Sequence, residues 1–305
     1  MRCVICKTGD VQPATVETEL KVGSDRLLVR VLAERCQQCG EAYYSADDLR
    51  KIEPLEGSED VAVLLAVESG SRAWGFPSVD SDYDVRFVYV HRPEWYLSID
   101  LEERRDVIER PIEEGIDVSG WDIRKALKLL RRSNPPLLEW LQCPIVYRER
   151  SSLAGRLRAL LPVFYSPKAS FFHYLHMARG NMRDYLRGDT VRQKKYFYVL
   201  RPLLAMLWIE RGLGPVPIEF ERLLNATVES PDLRRAIDEL LEAKKSGAEL
   251  DHGPRIPQIS RFIEAEMTRL QRAAADGPSP APSVEPLNDL FRDILAEVWG
   301  GGRPA

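Results

Sequence analysis

The chain reads as an α+β protein in three parts, and three observations predict this. Two Cys-x-x-Cys pairs, Cys3/Cys6 and Cys36/Cys39, bracket a β-patterned segment within residues 1–53. Two strand-length apolar runs, Val61 to Val67 and Val85 to Val90, flank a stretch rich in Gly, Ser and Asp. From Ser152 onward the apolar residues recur at helical spacing. The expected architecture is a small metal-stapled β-hairpin unit over 1–53, a mixed sheet over 60–150 and an α-helical domain over 151–275. A linker over 276–286, rich in Pro, Ser and Ala, precedes a final helix over 287–299, whose apolar stripe should dock on the body.

In the first unit, Thr15 to Leu20 and Leu27 to Val31 read as strands turning at Gly23-Ser24-Asp25, so a hairpin brings the two cysteine pairs together. Four thiolates at that proximity suit one tetrahedral structural Zn²⁺, and so short a unit needs such a staple because its apolar core is small. An isolated redox Cys-x-x-Cys fits less well, because both pairs are present and no βαβ pattern surrounds either. The fifth cysteine, Cys143, stands in an apolar context and reads as a buried small hydrophobe. Ala46 to Leu55 is expected to form a short charged helix, with Glu56 to Asp60 as a linker.

The second unit opens with the strand Val61 to Val67. The chain then breaks at Glu68-Ser69-Gly70-Ser71 into a short helix and resumes as a strand after Ser81-Asp82-Tyr83-Asp84. At the start of that strand Asp82 and Asp84, at i and i+2, project to one side. Two carboxylates in one small volume repel unless a cation sits between them, and hard oxygen ligands with phosphate and water suit Mg²⁺. Gly70 allows close backbone approach, and the amides at Gly70-Ser71 can face phosphate. His91 to Glu103 looks polar and irregular, anchored by Trp95 and Tyr96; Arg105 to Glu109 and Gly115 to Val118 read as strands. Within Ile116-Asp117-Val118 a carboxylate lies between β-branched residues, as expected for a strand facing a polar cavity, so Asp117 is the third candidate ligand. Asp122 competes, but its place before an amphipathic helical run suits a helix cap better.

The spacing Gly70-Ser71, Gly75, Ser81-Asp82-x-Asp84 resembles the signature of the DNA polymerase beta nucleotidyltransferase superfamily. The runs Gly115 to Leu127 and Ser133 to Leu141, with the C-terminal half, resemble one branch of it, the YcgL-like nucleotidyltransferases linked with RNA repair. The first unit, with Cys39-Gly40-Glu41, resembles the YgiT-type zinc finger of MqsA-like antitoxins, which implies a surface able to bind a protein partner. The helix-turn-helix that binds DNA in those antitoxins has no counterpart in this sequence.

In the C-terminal half, helices are expected over Pro167 to Leu186 and Arg192 to Arg211, then at Ile218 to Leu224, Pro231 to Ser246 and Gln258 to Arg272. His173 and His176 are three apart, but no carboxylate or Cys lies at helical reach on that face, so packing or a hydrogen bond suits them better than metal. Lys194, Tyr198 and Arg201 recur at i, i+4 and i+7, a basic stripe that reads either as a cleft wall for triphosphate or RNA or as a solvated face.

A net charge of −4 argues against a broad non-specific nucleic-acid surface. No apolar run reaches the ~18 residues of a membrane span, and a cytoplasmic protein is expected. The resemblance implies transfer of a nucleoside monophosphate from a nucleoside triphosphate, such as ATP, to an acceptor hydroxyl. Asp82, Asp84 and Asp117 would hold two Mg²⁺, with Gly70, Ser71, Ser81, Lys194, Tyr198 and Arg201 at the nucleotide. RNA ends, a protein side chain and a small molecule all remain open as acceptors. The competing reading is a non-catalytic binding or antitoxin-type protein with a vestigial palm.

Overall fold

The structure is a computed structural model that describes residues 2, 3, 6–22, 25–38, 42–43, 52–78, 81–112, 115–246, 252–273 and 282–300. Strand β1 (Val11–Val22) pairs antiparallel with β2 (Asp25–Cys36) along its whole length, and β3 (Ala42–Tyr43) joins the other edge of β2. The hairpin is longer than its apolar pattern predicts. Its register sets Val11 opposite Cys36, which returns Cys36 to the loop that carries Cys3 and Cys6.

Helix α1 (Ile52–Glu59) runs through most of the residues expected to be a linker, 56–60. Tertiary contacts override the local Gly-Ser signal here. Leu55 is buried against the sheet, and the Glu56 carboxylate accepts from the Val63 amide at 2.7 Å and pairs with Arg148 at 3.0 Å. These contacts outweigh the ~1 kcal/mol that a mid-helix glycine costs. The first part of the expected helix, 46–51, lies outside the described residues.

A five-stranded sheet follows, built from β4 (Val61–Glu68), β5 (Tyr83–His91), β6 (Val107–Glu109), β7 (Ile116–Asp122) and β8 (Val146–Glu149) in the order β6-β7-β5-β4-β8. Only β5 and β7 run parallel. Both faces of β4 are covered, one by α1 and the other by helices, so its sequence is an unbroken apolar run rather than an alternating one. Between the strands lie α2 (Gly70–Ala73), α3 (Pro93–Tyr96), α4 (Ile123–Arg131) and α5 (Pro135–Gln142). The segment expected to be irregular, 91–103, thus contains α3 and a 3₁₀ turn, Leu101–Glu103. Asp122 caps α4 as predicted, its Oδ1 accepting from the Arg124 amide at 2.8 Å and its Oδ2 from the Tyr96 hydroxyl at 2.6 Å.

The remaining chain is helical: α6 (Leu153–Phe164), α7 (Pro167–Tyr185), α8 (Tyr196–Glu210), α9 (Phe220–Thr227), α10 (Pro231–Lys245), α11 (Pro257–Ala273) and α12 (Glu285–Trp299). A two-residue ladder, β9 (Thr190–Val191) with β10 (Gly253–Pro254), ties the loop before α8 to the loop before α11. Helix α8 forms the centre of this domain and is buried nearly all round; it starts four residues later than predicted, after a 3₁₀ turn over Gln193–Lys195. Helix α12 buries Leu287, Leu290 and Ile294 in the core shared by the sheet, α4 and α6. Residues 276–281 of the expected linker are outside the described set, and Glu285 and Pro286 belong to α12. The fold class is α+β, and no helix among the described residues is long and apolar enough to cross a membrane.

One buried ion pair joins the two larger parts: Arg201 on α8 donates to Glu139 on α5 at 2.7 Å and to the Ile218 carbonyl at 3.3 Å. Tyr174 and Trp74 donate to the same carboxylate, each at 3.4 Å. Removing one member leaves a buried charge, so Arg201→Met should cost about 3–5 kcal/mol in urea unfolding, while Glu139→Leu combined with Arg201→Met should recover most of that loss. Burial pushes the Asp122 carboxyl up to about 6 from 3.8, against the donors from Tyr96 and Arg124. The protonated carboxyl favours the folded state, so this contribution is full below about pH 3.8 and is lost as pH rises through about 6. Urea unfolding between pH 4 and 7 should show a steeper stability decline in the parent than in Asp122→Asn, which has no proton to lose.

Candidate active site

The site is assembled on the end of β4. Glu68, its last residue, is fully buried, and Oε1 accepts from the backbone amides of Asp84 at 2.8 Å and Ser69 at 3.1 Å while Oε2 accepts from the Tyr147 hydroxyl. Burial pushes this carboxyl up to about 7, although every one of these donors favours its charged form. One side chain thereby locks the start of β5 to the turn that leaves β4. Gly70 follows at φ +59°, and a Cβ there would lie 2.1 Å from Asp84 Oδ2, so any other residue would strain the backbone and displace the Asp84 carboxylate.

Asp84 and Asp117 stand opposite each other in the parallel β5–β7 register. The Arg86 guanidinium bridges them, Nη2 donating to Asp84 Oδ1 at 3.1 Å and to Asp117 Oδ2 at 2.7 Å. Burial raises the Asp84 carboxyl above the usual range; the charges of Asp117 and Asp82 add to this and Arg86 opposes it. Asp82 is exposed at the mouth of the strand, with Oδ1 3.6 Å from where a Gly115 Cβ would be. The three carboxylates do not all lie within 4.8 Å of one another, so the guanidinium, rather than direct convergence, defines the present arrangement. Arg72 holds the loop before β5, donating to the carbonyls of Ser81 at 2.9 Å and Asp82 at 3.3 Å with its guanidinium 3.9 Å from the Tyr83 ring centre. Ser71 donates to Ser81 Oγ at 3.2 Å, and Ser81 Oγ also accepts from the Ser78 amide at 2.9 Å.

The helical domain supplies the facing wall. Tyr198 packs edge-on to Trp74 at 5.8 Å, and its hydroxyl pKa is raised by burial and then by the negative charges of Asp84, Tyr185 and Asp82. Lys195 lies over the Tyr198 ring at 4.2 Å and the Tyr185 ring at 4.8 Å; burial lowers its pKa, and Lys194 and Arg192 lower it further. The predicted stripe therefore divides. Tyr198 reaches the site, Lys194 is exposed on the preceding 3₁₀ turn, and Arg201 is buried against Glu139 instead of lining a cleft. The tighter turn changes the phase, so Lys195 takes the place beside Tyr198 that a continuous helix would assign to Lys194.

Sequence reasoning missed Glu68, Arg72, Arg86 and Lys195. Two had a readable signal: Arg86 is two residues beyond Asp84 on one strand face, and Glu68 is a charge closing an otherwise apolar strand.

A second cluster lies in the hairpin unit. The sulfurs of Cys3, Cys6 and Cys36 all lie within 4.8 Å of one another, and backbone amides of Cys6, Gly9 and Gln38 donate to them at 3.3–3.4 Å. Hydrogen bonds from the Gly9 amide, foremost, and then from Thr8 pull the Cys6 thiol down to about 5. Thiolates stabilised this way form a donor set that fits a thiophilic divalent ion. Cys39, the expected fourth ligand, is outside the described residues. His176 is exposed, and burial lowers half-buried His173, which bonds to the Arg132 backbone; among the described residues neither joins a metal-ligating group. Cys143 is buried with its thiol pushed up to about 12, as expected for a packing residue.

The chain is 49% identical over 257 residues to YcgL of Bacillus subtilis (strain 168), covering 84% of this chain and 97% of that protein. A crystal structure of a nucleotidyltransferase-like protein from Exiguobacterium sibiricum 255-15 covers 83% of this chain and 80% of its own at 14% identity, but its TM-score of 0.29 is too low to bear on the fold. Residues 45–293, from just beyond the cysteine-bearing hairpin to the middle of α12, match the family described as RNA repair pathway DNA polymerase beta, and the chain belongs to that family.

Proposed function

We propose that this protein transfers a nucleoside monophosphate from a nucleoside triphosphate to the hydroxyl of an RNA end, releasing pyrophosphate. The observation that carries the reading is the facing pair Asp84 and Asp117 on parallel strands, with the Gly70 backbone pressed against Asp84. These two carboxylates and Asp82 form a hard oxygen set suited to Mg²⁺; burial raises the Asp84 carboxyl and the charges of Asp117 and Asp82 add to this, so a further cation there would favour its ionised form. Bound there, two Mg²⁺ would lower the pKa of the attacking hydroxyl and neutralise charge on the leaving group.

The chain's own residues do the positioning. Glu68 holds the Asp84 backbone and the Ser69-Gly70 turn in one register, so the carboxylate and the amides that would face phosphate are set together. Arg86 is a built-in cation that keeps Asp84 and Asp117 paired and is suited to turn toward phosphate oxygens once they are otherwise neutralised. Tyr198 offers a ring surface for a base, with Lys195 4.2 Å from its ring centre and Lys194 exposed on the turn before it. RNA is favoured as acceptor by the family to which the chain belongs. In the hairpin unit, Cys3, Cys6 and Cys36, with Cys39, would hold one structural Zn²⁺.

The test is to incubate purified protein with labelled nucleoside triphosphates, Mg²⁺ and total RNA. Label should enter RNA, and label in protein alone would reject the acceptor. Asp84→Asn and Asp117→Asn should each lower transfer by roughly 10²–10³-fold or more, whereas Asp122→Asn should remain within a few-fold of the parent. Metal analysis should find one zinc per chain. Cys36→Ser should lose that zinc yet keep the cooperative unfolding transition of the body, because the two cores are separate.

A further inference from the structure

Beside α2 the hairpin unit and the body enclose a cavity of about 560 Å³, within the ~300–1,000 Å³ usual for small-ligand sites. Neither part builds it alone. Arg2 and Lys7 come from the cysteine loop, Arg72 and Trp74 from α2 and its C-terminal end, Phe220 from the start of α9 and Lys245 from the end of α10. Gly75 adds a stretch of bare backbone, at φ +90° with open space where a Cβ would stand. Of these side chains, Phe220 and Arg72 are buried, so the accessible wall combines the half-buried Trp74 ring with Arg2, Lys7 and Lys245, three exposed cations on a chain whose net charge is −4. Glu219 and Glu221 oppose them, but Glu221 is paired with Arg234 at 2.6 Å. Lys245 also contacts exposed Glu242 at 3.4 Å.

Ring faces interleaved with Lys and Arg are the chemistry that binds single-stranded nucleic acid, by stacking a base and neutralising its phosphates. The cavity's position adds to this. Gly70, which touches Asp84, is one turn of α2, or ~5.4 Å along the axis, from Trp74. Arg72 ties the cavity wall directly to the carbonyls of Ser81 and Asp82. The family match begins at residue 45, so the hairpin wall with Arg2 and Lys7 is an addition to the matched body.

We propose that this cavity receives a nucleotide of the acceptor RNA strand next to its reacting end, and that the hairpin unit serves to complete it. The proposal rests on the transfer reaction above and assigns its acceptor subsite.

The test uses the full chain, a fluorescein-labelled single-stranded oligoribonucleotide and, separately, a labelled nucleoside triphosphate, read by anisotropy over a series of salt concentrations. Lys7 has φ +59°, a left-handed conformation that Asn tolerates, so Lys7→Asn removes the charge without straining the loop; Lys245→Glu alters the opposite wall. Each should weaken oligonucleotide binding by roughly 3–10-fold and reduce the salt slope by about 1 or more, and the double variant should weaken it further. Triphosphate binding should stay within about two-fold, and an unchanged zinc content and melting temperature would show that the variants are folded. Parental oligonucleotide affinity and salt slope in the double variant would overturn the proposal, as would label transfer only to protein by a parent that binds no oligonucleotide. If both walls govern oligonucleotide binding but the parent transfers no label to any acceptor, the cavity assignment stands and the transfer reaction falls.

Discussion

The contact between the Gly70 backbone and the Asp84 carboxylate is the constraint on which the rest of the site depends. A Cβ at position 70 would push the carboxylate aside, and Glu68 holds the flanking backbone together through the Ser69 and Asp84 amides. A carboxylate held this way in the interior is expensive to ionise, and its raised pKa reflects that cost. The cost serves geometry. With the turn and strand in one register, the parallel pairing of β5 and β7 sets Asp117 opposite Asp84 without further adjustment.

The same logic extends outward to the helical domain. Trp74, immediately after α2, donates to Glu139, packs over Arg201 at 4.9 Å and meets Tyr198 edge-on. A single residue, four beyond Gly70, therefore touches both the ion pair that joins the two domains and the Tyr198 ring. The positive charge of Arg201 is used internally against Glu139, and Lys195 is the cation that the helical domain presents beside Tyr198. The hairpin unit is organised by different physics. Among its described residues Val11 packs with Cys3 and Cys36, and amide donors converging on three sulfurs hold its loop together.

Much of this was determined by sequence alone, wherever the cause is local. The Gly70-Ser71 turn, the Asp82-x-Asp84 pair, the β-branched setting of Asp117, the cap at Asp122 and the hairpin between the cysteine pairs each follow from backbone period or turn chemistry within a few residues. Tertiary structure decided what depends on distant partners. Helix α1 continues through Gly57 and Ser58 because Leu55 and Glu56 find partners on β4 and β8. Arg201 turns inward because Glu139 waits in a buried position, and a 3₁₀ turn exchanges Lys194 for Lys195 beside Tyr198. Glu68 shows the boundary most plainly. Its sequence position marks only a charge at the end of an apolar strand, whereas its role requires two amides and a tyrosine hydroxyl contributed by three separate stretches of chain, a convergence that no local pattern encodes.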